Sequence, residues 1–402
     1  MKKKIMIIHH SGSIGGAGVS VYNTIMSLKD DYDIVIYCPS SPEDFSNYLK
    51  EKGINVKTYD YPIGSIHYYS GGSATFSPGF IKGILNIFKY RKRLDSILKS
   101  EKPDLVISNS KILAWTGLIF NKNNQKCICY VRETRKKSFL NVWNNIQRAL
   151  LDKFTGVIFI SKYDQEMESL RKTKSEVVPN FINIDSYKPN KSRSEACNYF
   201  GLDTNSFNIL FVGGMLRIKG FDVAVKSMKY LKGMNVKLIV AGDAGFYYKP
   251  EKDMYTKFYN YLKKKYENSI NKEIIENGLQ KDIIKIGVQT NMTDVYLLAD
   301  VLIFPATAPH QARPVFEAGA MKIPVVMPDF ENTLEYLSNG DNGLIFRRKN
   351  PRSLANSIKA LINDEKYRNL LGQRNYEHTL RQHTKETSEK LIKEMIERIL
   401  LD

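Results

Sequence analysis

The fold is decided by the run Ala299-Asp-Val-Leu-Ile-Phe-Pro305 and the segment Pro309-His-Gln-Ala-Arg-Pro-Val-Phe-Glu-Ala-Gly-Ala-Met-Lys-Ile-Pro-Val-Val-Met-Pro328. Apolar residues at 299–304 predict a buried strand, and those at 324–327 predict a second one. Between them, residues 315–322 can form a short helix with Pro314 in its first turn. A loop therefore lies at the carboxyl end of a strand and opens onto a helix N-terminus. Unpaired backbone N–H groups at such an end suit an anion.

Glu317 lies about one turn into this helix. There its carboxylate could accept hydrogen bonds from a pair of ligand hydroxyls. An ordinary strand–loop–helix connection, in which Glu317 only favours the helix dipole, explains the same pattern. Taken alone, the segment favours this second interpretation.

Similar units of strand, loop and helix recur along the chain. Further apolar runs that predict strands lie at 4–8, 32–38, 55–59, 104–109, 126–131, 155–161, 176–182, 208–212, 236–242 and 283–288. Because they alternate with helical stretches, they predict right-handed βαβ units and parallel sheets. A chain of 402 residues is too long for one ordinary core. The sequence therefore predicts an α/β fold with two doubly wound domains, joined by a polar linker at 183–206.

Two of the predicted strands lead into glycine-rich loops, Ser11-Gly-Ser-Ile-Gly-Gly-Ala-Gly18 and Gly213-Gly-Met-Leu-Arg-Ile-Lys-Gly220. Glycine lets a ligand approach the backbone closely, and the helix that follows favours phosphate. The spacing matches neither the dinucleotide fingerprint nor the P-loop. Lys219 could reach phosphate oxygens with help from Arg217. Both could equally be surface charges on a turn.

In the first half, polar groups follow two predicted strands. Ser108-Asn-Ser110 ends one strand and Arg132-Glu-Thr134 ends another, so they line the same edge of a parallel sheet. A long loop at 60–80 is rich in aromatic residues and in glycine, and loops of that length are often functional. The helix that follows has Phe80, Ile84, Ile87 and Phe88 predicted on one face, with a basic C-terminal turn. Either this helix packs on the core with its basic end matched to its dipole, or it touches an anionic membrane surface.

Composition excludes several classes of protein. No apolar run approaches the ~20 residues of a membrane-spanning helix, and the first apolar run is too short for a signal peptide. The four cysteines, Cys38, Cys127, Cys129 and Cys197, lack metal-ligand spacing, and a reducing cytoplasm fits them. Net charge is +18, with the excess concentrated in the first half. Such a balance suits an anionic partner: nucleic acid, phospholipid or a phosphorylated substrate.

The order of these motifs resembles glycosyltransferase family 4, whose members have the GT-B fold. The matching motifs are Gly-Gly-Ala-Gly, Val-Pro-Asn-Phe-Ile, Phe-Val-Gly-Gly-x-x-x-x-Lys-Gly, Ala-Asp-Val-x-x-Phe-Pro, Pro-Val-Phe-Glu-Ala-Gly-Ala and Asn-Gly-Leu-Ile-Phe. The resemblance implies two Rossmann-like domains that face each other across a cleft. Residues 1–185 would bind the acceptor and 186–377 the nucleotide-sugar donor. A C-terminal helix at about 378–402 would pack back on the first domain.

This resemblance also implies an activity. The enzyme would be a retaining, hexosyltransferase-type glycosyltransferase that needs neither metal nor cofactor, because the nucleotide-sugar is a co-substrate. A UDP-sugar would be the donor, and a glycan or polyprenyl-diphosphate-linked saccharide the acceptor, in cell-surface polysaccharide synthesis. The protein would be cytoplasmic, with peripheral contact with an anionic membrane at its inner face.

Roles carry over residue by residue. The donor-binding group implied by the resemblance is Gly15, Gly16, Gly213, Gly214, Arg217, Lys219, Gln311, Ala312, Arg313 and Glu317. The catalytic group is Arg132, Glu133, Lys219 and His310, and the acceptor group is Asn109, His67 and Tyr68. Two positions depart from the family pattern. Pro309 replaces the first Glu of an E-x7-E pair, with His310 able to take its place at the sugar. Gly214 replaces a phosphate-binding Arg, which Arg217 or Arg313 could supply.

Three other functions stay open. The chain could be a non-catalytic partner that keeps the fold, as the two departures suggest, or a nucleotide-sugar epimerase. A nucleic-acid binder has the right charge. It is disfavoured, because the aromatic residues cluster in one loop instead of following a basic stripe.

Overall fold

The computed structural model describes residues 2–59, 66–70, 78–136, 141–242, 248, 250 and 254–401. The chain forms two compact units. The first comprises Met1–Ile182 with Gln382–Asp402, and the second comprises Asn183–Arg381.

The first unit is a parallel sheet with helices on both faces. Its strands are β1 (Lys4–Ile8), β2 (Asp33–Pro39), β3 (Val56–Tyr59), β4 (Leu105–Ser108), β5 (Cys127–Val131), β6 (Gly156–Phe159) and β7 (Lys174–Val177). They run in the order β3-β2-β1-β4-β5-β6-β7. Its helices are α1 (Gly16–Leu28), α2 (Asp44–Glu51), α3 (Pro78–Glu101), α4 (Gly117–Lys122), α5 (Val142–Leu151) and α6 (Lys162–Glu168).

Alternation along β1 shows how this sheet is covered. Ile5 and Ile7 join the core beneath α1, whereas Met6 and Ile8 join the core beneath α3. Burial on both faces explains why the parallel strands are apolar runs without a polar alternation. The last helix of the chain, which runs Lys385–Leu401 and is α14 in chain order, also packs on this sheet. A Cβ built on Gly156 of β6 would lie 2.4 Å from the Met395 methyl of α14, so glycine permits the close approach.

A second parallel sheet organises the other unit. Its strands are β8 (Phe207–Val212), β9 (Val236–Ala241), β10 (Ile283–Gly287), β11 (Val301–Ile303), β12 (Val325–Pro328) and β13 (Leu344–Phe346), in the order β10-β9-β8-β11-β12-β13. Its helices are α7 (Arg193–Tyr199), α8 (Phe221–Met228), α9 (Met254–Glu276), α10 (Met292–Leu297), α11 (Arg313–Ala320), α12 (Pro351–Asn363) and α13 (Glu365–Gln382). Two doubly wound α/β units confirm the predicted fold class. In each sheet the strand order reverses beside the first strand, β1 or β8. Open α/β sheets bind ligands at this point, past the carboxyl ends of the strands.

The stretch 183–206 was expected to be a linker, and that expectation is wrong. It belongs to the second unit and contains α7, which starts with a capping box between Ser192 and Glu195. Arg193 donates two hydrogen bonds of 2.7 Å to the carboxylate of Asp300, immediately before β11. This bidentate pair anchors the polar segment to the second unit, whereas composition alone predicts that the segment lies in solvent.

Helix α3 corrects a second expectation. Phe80 is buried, but Phe88 is 73% exposed. Eight residues of helix rotate a side chain by about 80° beyond two full turns, so the two phenylalanines lie on different faces. Among the described helices, none is both long enough and apolar enough to cross a bilayer.

Candidate active site

Two loops meet at the carboxyl edge of the second sheet. Residues 213–220 follow β8 and residues 304–312 follow β11, the neighbouring strand. Thr307 connects them: its backbone N–H donates to the Ile218 carbonyl at 3.0 Å, and its hydroxyl donates to the Arg217 carbonyl at 3.1 Å. Glycine and charged residues that lie far apart in sequence are therefore neighbours here.

Glycines shape the first of these loops. Gly213, Gly214 and Gly220 have φ values of +134°, +66° and +81°, which other residues rarely adopt. A Cβ on Gly220 would lie 1.8 Å from the Pro305 carbonyl oxygen, so glycine is required for the two loops to touch. At Gly213 a Cβ would lie 3.2 Å from Cγ of Lys219. The lysine stem therefore lies directly over this glycine.

Lys219 meets His310 from the second loop. Its ammonium Nζ lies 2.6 Å from Nε2 of the imidazole. Because an ammonium only donates, Nε2 accepts and the imidazole proton is assigned to Nδ1. The imidazole stacks on Phe304 with ring centroids 6.3 Å apart, and the Asn332 amide donates to the His310 carbonyl at 3.2 Å. Both members of the pair are thus held by the loop and its neighbours.

Burial changes the charges of this pair. It lowers the pKa of Lys219 to about 8. Burial, followed by the nearby Lys219 charge, lowers the pKa of His310 to about 3. At neutral pH the imidazole is therefore uncharged and the pair carries one positive charge that water solvates poorly. Such a cation gains more from an incoming anion than a solvated one would.

Nucleoside diphosphate binding is therefore expected to depend on Lys219 protonation. An anion beside Nζ stabilises the ammonium, so binding takes up a proton where free Lys219 is partly neutral. UDP affinity should fall by about twofold between pH 7 and pH 8, and then by up to about tenfold per pH unit above 8. Calorimetry in buffers of different ionisation enthalpy measures this proton uptake. The Lys219→Met variant is the control, and the same pH dependence in that variant would contradict the assignment.

Helix α11 starts at this edge. Ala312 is its N-cap, and no side chain caps the first turn. The Tyr336 hydroxyl donates to Oε1 of Gln311 at 2.5 Å and holds the loop before the helix. Arg313 is engaged within the helix, since its Nε donates to Oε1 of Glu317 at 2.7 Å. In this arrangement Arg313 orients Glu317, and its donor-phosphate role stays a prediction.

Two tyrosines that sequence reasoning missed complete the surroundings of Glu317. The Tyr296 hydroxyl donates to Oε2 of Glu317 at 2.8 Å. Tyr187, on a short 3₁₀ turn, packs edge-to-face on Tyr296 with ring centroids 6.2 Å apart and lies near the Glu317 charge. Burial, with the Glu317 charge second, raises the pKa of both phenols, so they remain donors. No spacing in the sequence connects residues 187 and 296 to residue 317, so only the fold could identify them.

The first unit has its own polar edge. Asn109 donates to Nδ1 of His9 at 3.0 Å and accepts from Nε of Arg132 at 2.7 Å. Arg132 also donates to Oδ1 of Asn180 at 2.8 Å and to the Thr24 hydroxyl at 3.2 Å. The structure thus brings together Asn109 and Arg132, as predicted for neighbouring strand ends. These contacts hold the Arg132 guanidinium in place, and its catalytic role stays a prediction.

Glu133 is half-buried beside this network. One carboxylate oxygen accepts from the Ser110 hydroxyl, and the other accepts from the backbone N–H groups of Lys111 at 2.9 Å and Arg132 at 3.2 Å. Burial raises the pKa of Glu133. Its hydrogen bonds join the end of β5 to the turn after β4, so the geometry supports a structural role.

The two aromatic acceptor candidates lie in the described segment 66–70, where His67 is close enough for its charge to act on His10. Tyr68 is buried in an apolar cluster with Ile66 and Phe80. His67 is half-buried, and burial lowers its pKa. Their acceptor roles stay predictions. The rest of the long loop, 60–65 and 71–77, falls outside the described residues.

Helix α1 starts with an open N-terminus. Gly15 is its N-cap, without a side-chain hydrogen bond, and Gly16 is its first residue. A Cβ on either glycine would meet nothing within 4 Å. The protein's own packing does not demand glycine here, which leaves room for a ligand against the backbone.

Gly16→Ala should therefore separate stability from activity. Alanine favours the helix, so the melting temperature should stay unchanged or rise. The added methyl would keep a phosphate from the helix N-terminus, and the donor KM should rise by about tenfold or more. Thermal unfolding and initial rates measure the two effects. Unchanged kinetics would remove Gly16 from the donor site.

Among the described residues, no group of three or more His, Cys, Asp or Glu side chains is arranged to hold a metal ion.

Solved structures share this fold. Anabaena HepE in complex with UDP-glucose superposes with a TM-score of 0.79 at 18% identity, covering 98% of this chain and 99% of HepE. Sucrose-phosphate synthase from Thermosynechococcus elongatus superposes with a TM-score of 0.74 at 16% identity, covering 100% of both chains. At these identities the likeness concerns the fold alone.

Curated relatives are distant. CapM of Staphylococcus aureus, a capsular polysaccharide biosynthesis glycosyltransferase, is 24% identical over 196 residues, which are 48% of this chain and 46% of CapM. An uncharacterized glycosyltransferase of Methanocaldococcus jannaschii is 23% identical over 401 residues, covering 92% of this chain and 93% of the relative. The match spans about half the length of CapM and of a second M. jannaschii protein, of which it covers 52%.

Family models match each unit separately. The model described as Glycosyltransferase Family 4 matches residues 14–186, and the model described as Glycosyl transferases group 1 matches residues 193–378. The first match contains Asn109 and Arg132, and the second contains Lys219, His310 and Glu317. With both models matched in order and the two parallel α/β units beneath them, the chain belongs to the family 4 glycosyltransferases of the GT-B fold.

Proposed function

We propose that this protein transfers a sugar from a nucleotide-diphosphate sugar to a glycan or lipid-linked saccharide, with retention of configuration. The observation that carries the proposal is the pairing of Lys219 with His310 beside the uncapped N-terminus of α11. A poorly solvated cation and a helix N-terminus without a side-chain cap lie at one sheet edge, and Glu317 follows one turn into the helix. This combination suits a diphosphate joined to a diol.

The chemistry needs few side chains. Departure of the sugar leaves negative charge on the diphosphate, which Lys219 and the backbone N–H groups stabilise. Holding donor and acceptor together supplies much of the remaining rate enhancement. Attack from the face that the leaving group vacates would retain configuration, with a leaving phosphate oxygen accepting the acceptor proton. NMR of the product's anomeric proton tests retention.

The proposed donor is a UDP-sugar, and the route is cell-surface polysaccharide synthesis. HepE structures of the same fold hold UDP, UDP-glucose, and UDP with glucose. CapM acts in capsular polysaccharide biosynthesis. Lys219 and the α11 N-terminus supply charge to the diphosphate, so we also propose that transfer needs no metal. Activity that disappears with a chelator and returns with a divalent cation would overturn this last point.

A thermal-shift screen against UDP, GDP, ADP and their sugars tests the donor assignment. A ligand that binds the native state raises the melting temperature, by more as its concentration exceeds Kd. We expect UDP and one UDP-sugar to give the largest shifts. No shift with any nucleotide would contradict the proposal.

A non-catalytic partner subunit is the second candidate, because Pro309 and Gly214 remove two side chains that the family pattern supplies. The pure protein would then bind a nucleotide-sugar without hydrolysing or transferring it. Conversion of the donor into its epimer without an acceptor would instead identify an epimerase.

A further inference from the structure

The carboxylate of Glu317 is held by two different donors, one on each oxygen. Nε of Arg313 donates to Oε1 at 2.7 Å, and the Tyr296 hydroxyl donates to Oε2 at 2.8 Å. The same hydroxyl lies 3.4 Å from the Pro314 carbonyl oxygen, and its single proton serves the shorter contact. A carboxylate offers about four acceptor positions, two on each oxygen. The two hydrogen bonds therefore use one position on each oxygen and leave the other for a ligand.

Without Tyr296, Arg313 could occupy both oxygens. A planar guanidinium and a carboxylate prefer a bidentate arrangement, in which two N–H groups meet the two oxygens. Arg193 and Asp300 form such a pair in the same unit. Arg313 instead holds Oε1 through Nε, while Oε2 is held by the tyrosine. The phenol therefore divides the carboxylate between two donors that approach from different elements.

The position of this phenol depends on how α10 is attached to the segment that precedes α7. The Thr293 hydroxyl donates to the Ser186 carbonyl at 2.9 Å. The next residue of that segment, Tyr187, packs edge-to-face on the Tyr296 ring with centroids 6.2 Å apart. Tyr296 itself is fully buried. Its hydroxyl is therefore fixed before any ligand arrives, which is what a group that orients a carboxylate requires.

We propose that Tyr296 is a positioning residue for the ribose of the donor nucleotide and makes the site selective for ribose over deoxyribose. By holding Oε2 away from Arg313, it leaves each oxygen of Glu317 able to accept from one hydroxyl of the 2′,3′-diol. The inference rests on the proposed function, since it takes the diol of a nucleoside diphosphate as the ligand of Glu317. It extends that function, because Tyr296 acts through Glu317 on a part of the donor that does not react.

Calorimetry with UDP and with 2′,3′-dideoxy-UDP tests the proposal. The unchanged protein should bind UDP about 100-fold more tightly, since the diol donates two hydrogen bonds to a charged acceptor. Tyr296→Phe should reduce this preference to about tenfold or less, because Arg313 can then take both oxygens. Its affinity for the dideoxy compound should not change. Both ligands are titrated into the same preparation, so an unfolded fraction affects them equally.

Two further variants separate positioning from structural support. Tyr367 is half-buried and packs against the core of the same unit, so Tyr367→Phe is a matched control. It should leave the preference for UDP unchanged, even where it lowers the melting temperature. Tyr296→Phe/Arg313→Lys should regain most of the preference, because lysine is a point charge and lacks the planar fork that occupies both oxygens.

A Tyr296→Phe protein that keeps the full preference for UDP would overturn the proposal. So would a lost preference that Arg313→Lys does not restore, since Tyr296 would then not act by holding Oε2 away from the guanidinium. The proposed function fails in a different way. If the unchanged protein does not bind UDP, or binds both compounds equally, Glu317 does not contact a ribose, and the donor site falls together with this inference.

Discussion

Replacing Lys219 with alanine should lower kcat for sugar transfer by about 10²–10³-fold. The ammonium is poorly solvated and held by Gly213 beneath its stem and by His310 at its Nζ. It therefore meets the charge that develops on the leaving diphosphate without first losing a water shell. The fold should survive, because Lys219 is half-buried and its stem covers a loop instead of filling the core.

Comparing ligands sharpens this prediction. Calorimetry with UDP and with uridine should show that Lys219→Ala weakens UDP binding and leaves uridine binding unchanged, since only UDP carries the diphosphate. Lys226→Ala, on α8, removes a lysine from the same unit and serves as the control. Near-normal transfer by Lys219→Ala, or equal losses for UDP and uridine, would show that Lys219 does not contact the diphosphate.

Replacing Glu317 with glutamine should affect both stability and donor binding. Arg313 would lose its carboxylate in a mostly buried position, and breaking a buried pair from one side costs about 3 kcal/mol. If Glu317 also binds the ribose, the donor KM should rise by about tenfold or more. Chemical denaturation and steady-state kinetics measure the two effects.

The double variant Arg313→Met/Glu317→Gln separates these roles. Removing both charges leaves no uncompensated ion, so most of the lost stability should return. Donor affinity should stay low, because the ribose partner is still missing. Recovery of the donor KM together with stability would mean that Glu317 only supports the fold.

Much of the fold could be predicted from local pattern. Apolar runs such as 299–304 and the glycines before Lys219 predicted parallel strands, loops and an anion-binding helix end. These features depend on neighbours in sequence, so the sequence displays them directly. Lys219 and His310 were each singled out, but their contact was not, because 91 residues separate them.

Exposure was harder to predict. Phe88 lies eight residues after Phe80, yet the rotation of about 80° between them places Phe88 on the surface. The roles of Arg132 and Glu133 also depended on partners such as Asn180 and Ser110, which reach them through the sheet.

The sequence by itself determined the two α/β units, their glycine loops and the family, because hydrophobic period and motif order are written along the chain. Only the tertiary structure decided which side chains form hydrogen bonds or ion pairs with each other and which face solvent. The hydrogen bond of Glu317 with Tyr296 joins residues that are distant in sequence, and the low pKa of Lys219 arises from burial. A parallel sheet creates such neighbours, since it gathers the ends of strands that the chain visits far apart.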